Sequence, residues 1–503
     1  MGSQHHSGGD EYIVMLPFMA HGHLIPFLAL ANQIHLRTNF TVFIATTTLN
    51  VHYLKSTVSS AADIRFIELP FSGADHGLSP NAENTENLPL SKIAHLFHAS
   101  RSLEPPCRDF LRGAVQERGR PPLCIISDVF LGWAVDVARS FDTVNVAFST
   151  GGAYGTAAYV SLWLHLPHRK TDFDEFTMPG FPERCRFHRT QLHPFLRAAD
   201  GTDTWSMFFQ PQISLSLKSY AWLCNTVEEI EPFGLEILRN YLNLPVWCVG
   251  PLLPQAALND SSSSHTISRR RAGKEFGISA ENCLDWLESQ KSKSVLYISF
   301  GSQNTIGASQ MMELAIGLEK SEKAFVWVIR PPMGFDLRGE FRSEWLPEKF
   351  EERMREKKRG LLVRNWAPQL DILAHRSTGA FLSHCGWNSV MESLSQGVPM
   401  VAWPIAAEQA YNSKMLVEEM GVCVELTRGA QSGDITAERV RTVISRVMDG
   451  GGEGGEMRRR AEEIKLKIRA AIREEGEQKG SALKAMDDFV ASVLTNREQQ
   501  VTK

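Results

Sequence analysis

The sequence predicts an α/β protein built from two doubly wound parallel-sheet domains that face each other across a cleft. Three observations carry this. Strand-length apolar runs alternate with helical stretches twice along the chain, a polar aperiodic interruption separates the two series, and each series opens on a strand followed by a glycine-bearing turn (Gly22 and Gly301). Short apolar runs without polar alternation suit strands covered on both faces, as in parallel sheets. Strand–helix alternation is what a doubly wound architecture requires.

Taken in order, residues 12–17 read as a strand, 20–23 as a turn, and the stretch to about residue 35 as an amphipathic helix. Strands follow at 41–46, 64–69, 123–127 and 144–148. Between 251 and 277 the character changes: Pro251, Pro254, the serines 261–264 and the triple arginine 269–271 read as a linker with a mobile loop. The alternation restarts with a strand at 294–300, a helix at 309–319 and a strand at 324–329, then strands at 360–366, 378–383 and 399–403, each followed by a helix. The glycines of 450–455 read as a flexible loop and 456–475 as a charged helix. Leu483, Met486, Phe489 and Val493 recur at three- and four-residue spacing, so 482–494 should be a docking helix, with 496–503 fraying after it. The expected division is 1–250 for the first domain, 251–282 for the linker, 283–480 for the second domain, and 481–503 for the docking helix and tail.

Composition narrows the function. A chain of 503 residues with 43% hydrophobic and 22% charged residues has an ordinary globular core. With 53 Lys and Arg against 57 Asp and Glu, the net charge of −4 leaves no basic stripe of the kind nucleic acid requires. The arginines 458–460 read as a solvated helix face. Eight cysteines are scattered without CxxC pairs, as for reduced thiols in a cytoplasmic protein. No N-terminal apolar signal and no run of about 18 apolar residues appears, so neither secretion nor an integral membrane segment is expected. A monomer is expected.

The densest chemistry lies between Trp366 and Gln409. Trp366-Ala367-Pro368-Gln369 ends a strand; Phe381–Ser389 runs through His384, a tight turn at Cys385-Gly386 and a helix start near Trp387; Glu392 follows one turn on, and Glu408-Gln409 closes the stretch. Backbone N–H groups at a helix start, helped by the helix dipole, make a phosphate site. Gly386 lets the backbone approach closely, and His384, Asn388 and Ser389 are placed to add hydrogen bonds to the same anion. Glu392 suits ribose hydroxyls. Singly, Trp366 could be core packing, His384 a satisfied polar group and Glu392 a surface carboxylate; their joint spacing is not explained that way.

This stretch resembles, through its whole length, the donor-binding signature box of plant family-1 UDP-sugar-dependent glycosyltransferases. The resemblance implies a GT-B-like fold. It implies that Trp366 stacks on uracil, that the Ala367 backbone bonds the uracil edge, and that Gln369 and Glu392 hold the ribose. His384, Asn388 and Ser389, with Ser302 from the Gly301-Ser302 turn, would bind the diphosphate, and Trp387, Glu408 and Gln409 would line the sugar. The family uses either acid at the position of Glu408; Gln at the position of Gln409 goes with glucose, where His goes with galactose. Thr150 matches a position that contacts the transferred sugar, although a capping hydroxyl explains it equally well.

Transfer to a hydroxyl needs a base, and imidazole has a suitable pKa. His21-Gly22-His23 follows a buried strand, on the side where ligands bind in open α/β sheets. Both histidines are candidates; the resemblance places the base in the Gly-His pair, at His23. A metal reading of His-Gly-His lacks a third ligand. Asp128, at the end of the run 123–127, is by residue type alone a cap or turn residue; the resemblance makes it the partner that orients the histidine and stabilises the imidazolium.

The implied activity is inverting transfer of a sugar, glucose before others, from a UDP-sugar to a hydroxyl or carboxyl of a small apolar acceptor such as a flavonoid, another phenolic or a terpenoid. The UDP-sugar is a co-substrate, and no metal or other cofactor is expected; Asp172-Phe173-Asp174 lies in a polar loop and is set aside. The acceptor should meet loops at 70–105 and 159–212, where Trp163, Trp205, Phe208 and Phe209 suit a planar ligand or ordinary helix packing. The alternatives are a non-catalytic UDP-sugar-binding protein and another sugar-nucleotide enzyme, an epimerase or a phosphorylase, on the same scaffold. Turnover of His23→Ala against His21→Ala tests the base: the first should be inactive and the second active, and the reverse result assigns the base to His21.

Overall fold

The computed structural model describes residues 11–57, 64–258, 277–337, 339–429, 435–476 and 478–501. The serines 261–264 and arginines 269–271 of the expected linker lie outside the described residues.

Two parallel sheets organise the chain. The first has seven strands in the spatial order Ile64–Leu69, Thr41–Thr47, Tyr12–Leu16, Cys124–Asp128, Val144–Ser149, Ala221–Cys224, Val246–Cys248. The second has six, in the order Gly360–Arg364, Ala324–Ile329, Val295–Ser299, Thr378–Ser383, Met400–Ala402, Cys423–Glu425. In each sheet the chain winds outward from its first strand, then crosses back to that strand's other side. Loops leaving the two central strands therefore diverge and open a crevice at their carboxyl ends. In the first sheet that crevice lies between Tyr12–Leu16 and Cys124–Asp128, in the second between Val295–Ser299 and Thr378–Ser383.

The expected strands stand within one or two residues of their places. The sequence reading passed over Ala221–Cys224, Val246–Cys248 and Cys423–Glu425, each only three or four residues long and at or beside a sheet edge. The first helix is His21–Thr38, so His21, Gly22 and His23 form its first turn rather than a turn before it. The glycine run at 450–455 is not a loop throughout: the helix Gly452–Ala471 begins inside it. A Cβ at Gly454 would stand 2.5 Å from the Val447 carbonyl oxygen, so this close packing needs glycine, and Arg446 pairs with Glu453 beside it. The helix stops at Ala471, short of the expected 475, and Glu474–Glu475 pairs antiparallel with Gln478–Lys479.

The last helix, Ser481–Val501, returns to the first sheet. Met486, Phe489 and Val493 are buried with Ile13, Met15, Phe148 and Leu223, and the Phe489 ring lies 5.7 Å from Trp247. Arg37 bonds Asp487 at 2.7 Å on the same surface. The chain does not fray from 496: the helix runs to Val501, and Arg497 donates to the Pro121 and Pro122 carbonyls. The eight cysteines are free and buried, and among the described residues no helix is long and apolar enough to cross a membrane. Phe489→Ala should destabilise the chain by about 3 kcal/mol, through lost burial and a cavity, read as a lowered thermal midpoint; an unchanged midpoint would show that the last helix adds no stability.

Candidate active site

Four segments leaving the carboxyl edge of the second sheet turn into the cleft through left-handed residues: Gly301 (φ 75°), Asn365 (φ 62°), Cys385 (φ 62°) and Ala407 (φ 52°). Each immediately precedes a position that the sequence reading singled out: Ser302, Trp366, Gly386 and Glu408. For the three residues with side chains this conformation costs roughly 1–2 kcal/mol apiece, so the surrounding packing must hold it.

The helix Trp387–Ser395 starts at Gly386 with no side-chain cap on its first N–H groups, leaving them for an anion. The His384 ring sits between two glycines: a Cβ on Gly301 or on Gly386 would stand 2.6 Å from its Nε2. Burial, then the nearby Arg330, push the His384 pKa down to about 4, so the ring is neutral at pH 7, and its Nδ1 has no hydrogen-bond partner among the described residues. Arg330 donates to the Ser302 carbonyl at 2.6 Å and to the Gly301 carbonyl, pinning that turn.

At the strand side of the cavity, the Tyr297 hydroxyl donates to Gln369 Oε1 at 3.1 Å. Gln369 Nε2 donates to Glu392 Oε2 at 2.6 Å and to the Ser389 hydroxyl at 3.1 Å. Ser389 is thus tied to the Gln369–Glu392 network as an acceptor, and its own O–H still faces the cavity. At the other end, Gln409 Oε1 accepts from the Ile405 and Ala406 N–H groups at 2.9 Å each, which leaves only the amide nitrogen to meet a ligand. Glu408 accepts from Asn412 at 3.3 Å; its carboxyl is raised above the usual range by burial, against the opposing pull of its hydrogen bonds and of His23.

Two residues of the helix Trp387–Ser395 reach the first domain. The Trp387 N–H donates to the Asn225 carbonyl at 2.6 Å. Asn388 Nδ2 donates to the Gly22 carbonyl at 3.1 Å. Pro26 lies four residues after Gly22 in the helix His21–Thr38. Proline has no N–H to give that carbonyl, so the Gly22 oxygen is left for Asn388.

On the first domain, His23 Nδ1 lies 2.6 Å from Asp128 Oδ2, and the Asp128 side chain is 0% exposed. Asp128 Oδ1 accepts the Phe130 N–H at 3.0 Å, so the carboxylate cannot swing away. The Thr150 hydroxyl is 3.5 Å from His23 Nδ1. Burial lowers the His23 pKa, but the charge and hydrogen bond of Asp128, with Glu408 behind them, overcome that and hold it above its ordinary value. Phe18 and Phe130 flank the ring at 5.6 and 5.5 Å. His21 diverges: its ring stacks on Tyr53 at 3.9 Å and its Nε2 lies 3.4 Å from Glu86. The two histidines do not converge on a common ion, and among the described residues no group of three His, Cys, Asp or Glu side chains could hold a metal.

One cavity of about 390 Å³ collects these groups. His23, Thr150, Ser302, Trp366, Ala367, Gln369, His384, Gly386, Trp387, Asn388, Ser389, Glu392, Glu408 and Gln409 all line it. Asp128 stands behind His23. The apolar wall near His23 is Phe18, Ile93, Phe97, Phe130, Tyr159 and Ile213. Trp163, Phe208 and Phe209 are buried in the core behind that wall, and Trp205 stacks on Phe209 at 5.8 Å; ordinary packing is the correct account of that aromatic stretch. Asp172 and Asp174 are exposed, and neither lines the cavity. The sequence reading missed Tyr297, Arg330 and Asn225. For Arg330 the only trace was a charge at the end of an apolar strand; Tyr297 and Asn225 left none.

Residues 272–451 match the family model "UDP-glucoronosyl and UDP-glucosyl transferase". UDP-glycosyltransferase 92A1 of Arabidopsis thaliana is 40% identical over 96% of this chain and 97% of its own length. Crocetin glucosyltransferase 3 of Crocus sativus is 44% identical over 89% of this chain and 93% of its own length. The crystal structure of UGT73P12 from Glycyrrhiza uralensis, complexed with glycyrrhetinic acid 3-O-monoglucuronide, superposes with a TM-score of 0.80 at 28% identity, covering 98% of this chain and 97% of that one. With two facing doubly wound domains, a donor box complete along its length and relatives that match nearly end to end, the chain belongs to the plant family-1 UDP-glycosyltransferases of GT-B fold.

Proposed function

We propose that this chain transfers glucose from UDP-glucose to a hydroxyl group of a small apolar acceptor, such as a flavonoid, another phenolic or a terpenoid, with inversion at the anomeric carbon. The observation that carries this is the His23–Asp128 pair, 2.6 Å apart, set in the same cavity as the uncapped start of the helix Trp387–Ser395. Asp128 accepts a hydrogen bond from the Nδ1–H and so fixes the tautomer that leaves Nε2 as the free base. His23 Nε2 removes the acceptor proton, the acceptor oxygen attacks the anomeric carbon from the face opposite UDP, and the C–O bond to the diphosphate breaks. The imidazolium is stabilised by Asp128 as it forms.

Charge on the leaving UDP spreads over the first N–H groups of the donor helix, His384, Asn388 and Ser302. His384 suits this role because a neutral imidazole can donate without itself carrying charge, and its unpartnered Nδ1 has capacity to spare. Trp366 stacks on the uracil and the Ala367 backbone bonds its edge, while Gln369 and Glu392 hold the ribose with Ser389 beside them. Thr150, Trp387, Glu408 and Gln409 surround the sugar, with Gln409 donating through its amide nitrogen. The apolar wall from Phe18 to Ile213 holds the acceptor and excludes water from His23.

Two measurements test this. Incubation with a panel of UDP-sugars and mixed phenolic and terpenoid acceptors should give UDP and a glucoside detected by mass spectrometry; UDP release without any conjugate would count against transfer. The acid limb of kcat/KM should lie above the ordinary histidine value of about 6.5, because the working form is the unprotonated ring and the His23 pKa is raised. Asp128→Asn should move that limb to lower pH and reduce kcat by roughly 10² to 10⁴; an unmoved limb would separate His23 from the titration.

A further inference from the structure

Glu231 is a buried carboxylate, 2% exposed, that the transfer mechanism above does not use. Its Oε1 accepts the Tyr154 N–H at 3.1 Å, and its Oε2 accepts the Ala153 N–H at 3.0 Å and the Thr226 hydroxyl at 2.5 Å. The two N–H groups open the helix Ala153–His165, whose preceding residue, Gly152, has no side chain to cap it. Thr226 directly follows Asn225. One carboxylate thus ties together Gly152–Tyr154 and Asn225–Thr226, two segments 70 residues apart in sequence.

Those two segments are the walls of the socket that receives Trp387. A Cβ on Gly152 would stand 2.6 Å from both the Trp387 ring and Glu231 Oε2. The carboxylate and the indole therefore converge on the space that only a glycine leaves open. The opposite wall, the Asn225 carbonyl, takes the indole N–H at 2.6 Å. The Asn225 side chain continues inward, its Nδ2 donating to the Thr150 carbonyl at 3.4 Å and its Oδ1 accepting the Leu252 N–H at 3.0 Å. Thr150 is the residue whose hydroxyl lies against His23.

From this we infer that Glu231 is a positioning residue for the transfer reaction: it holds both walls of the Trp387 socket, and so sets the donor helix in register with His23. Glu231 touches neither substrate nor His23. Its action passes through Gly152 and Thr226 to Trp387, and through Asn225 to Thr150. UDP is held by groups of the second domain, so a socket that loosens should spoil the alignment of base and sugar without removing the nucleotide's contacts. Misplacement of about an ångström costs on the order of a hundredfold in rate.

The inference rests on the transfer reaction proposed above. Glu231→Gln keeps the shape but turns an amide NH2 toward groups that are themselves donors. It should lower kcat by at least about tenfold at saturating donor and acceptor, with the UDP dissociation constant, measured calorimetrically without turnover, changing by less than about threefold. Thr226→Val, a milder change on the Asn225 wall, should lower kcat severalfold with the same split, and it serves if Glu231→Gln does not fold. Trp387→Phe keeps an aromatic ring but loses both the N–H and the part of the indole that packs on Gly152; because both changes act on one socket, Glu231→Gln on that background should lower kcat little further. Undiminished kcat in both first-domain variants, loss of UDP affinity in step with kcat, or fully multiplicative effects in the double variant would each overturn the inference. Absence of any conjugate with the wild-type chain would overturn the transfer reading and this inference together.

Discussion

The Trp387 indole crosses from the second domain to the first, its ring against the Gly152 backbone and its N–H on the Asn225 carbonyl at 2.6 Å. A doubly wound sheet offers its crevice only at the carboxyl edge, where the chain reverses direction between its central strands. One such edge can hold a nucleotide or orient a base, but glycosyl transfer needs both within bonding reach of one carbon atom. The contact between Trp387 and Gly152 fixes how closely the two edges approach, because nothing larger than a hydrogen fits between them. Asn388 adds a second tie to the Gly22 carbonyl, and Gln303 a third to Thr85. The Gly22 tie exists because Pro26 withholds the N–H that would otherwise close the first turn of the helix His21–Thr38.

The two edges carry different electrostatics. The first-domain edge presents a histidine whose cationic form is stabilised by a buried carboxylate, which suits a group that must accept a proton and then bear a positive charge briefly. At the second-domain edge the groups around the start of the helix Trp387–Ser395 are uncharged, namely its first N–H groups, a neutral His384, Asn388 and the Ser302 turn, while Glu392 and Glu408 bring carboxyls to the same cavity. Arg330 is the cation nearby, and its guanidinium is already spent on the Gly301 and Ser302 carbonyls. Diphosphate recognition by fixed dipoles requires that those dipoles not reorient. The left-handed turns at Gly301, Asn365, Cys385 and Ala407 meet that requirement at an intrinsic backbone cost, and the buried network of Tyr297, Gln369, Ser389 and Glu392 opposes their relaxation. Local strain at a binding edge, held by packing on the sheet behind it, is a common way to place rigid donors.

Most of the strand framework was legible in the chain because fully covered parallel strands leave apolar runs of five to seven residues, rich in Val, Ile and Phe and bounded by turn residues. Ala221–Cys224, Val246–Cys248 and Cys423–Glu425 are only three or four residues long, too few for a pattern to separate strand from loop, so they became visible only as partners of longer neighbours. The helix start at Gly452 leaves no local signal for a related reason: glycine disfavours helix in isolation, and it is at Gly454, against the Val447 carbonyl, that a missing side chain becomes an advantage. Trp163, Phe208 and Phe209 gave a misleading aromatic signal, since composition does not distinguish a pocket wall from the core one layer behind it.

The sequence by itself determined the strands, tight turns and helix start between Trp366 and Gln409, because these are local features written in neighbouring residues. It also put Asp128 at the end of one strand and the two histidines just beyond another, while the choice of His23 and its pairing with Asp128 came from the family resemblance. What only the tertiary structure decided is which groups meet across distance. It turned His21 away onto Tyr53, drew Ser389 to Gln369, spent the Gln409 oxygen on the Ile405 and Ala406 N–H groups, and set Glu231 behind the Trp387 socket. These are contacts between segments far apart in the chain, or between side chains and backbone whose direction is set by packing, and no local pattern encodes them.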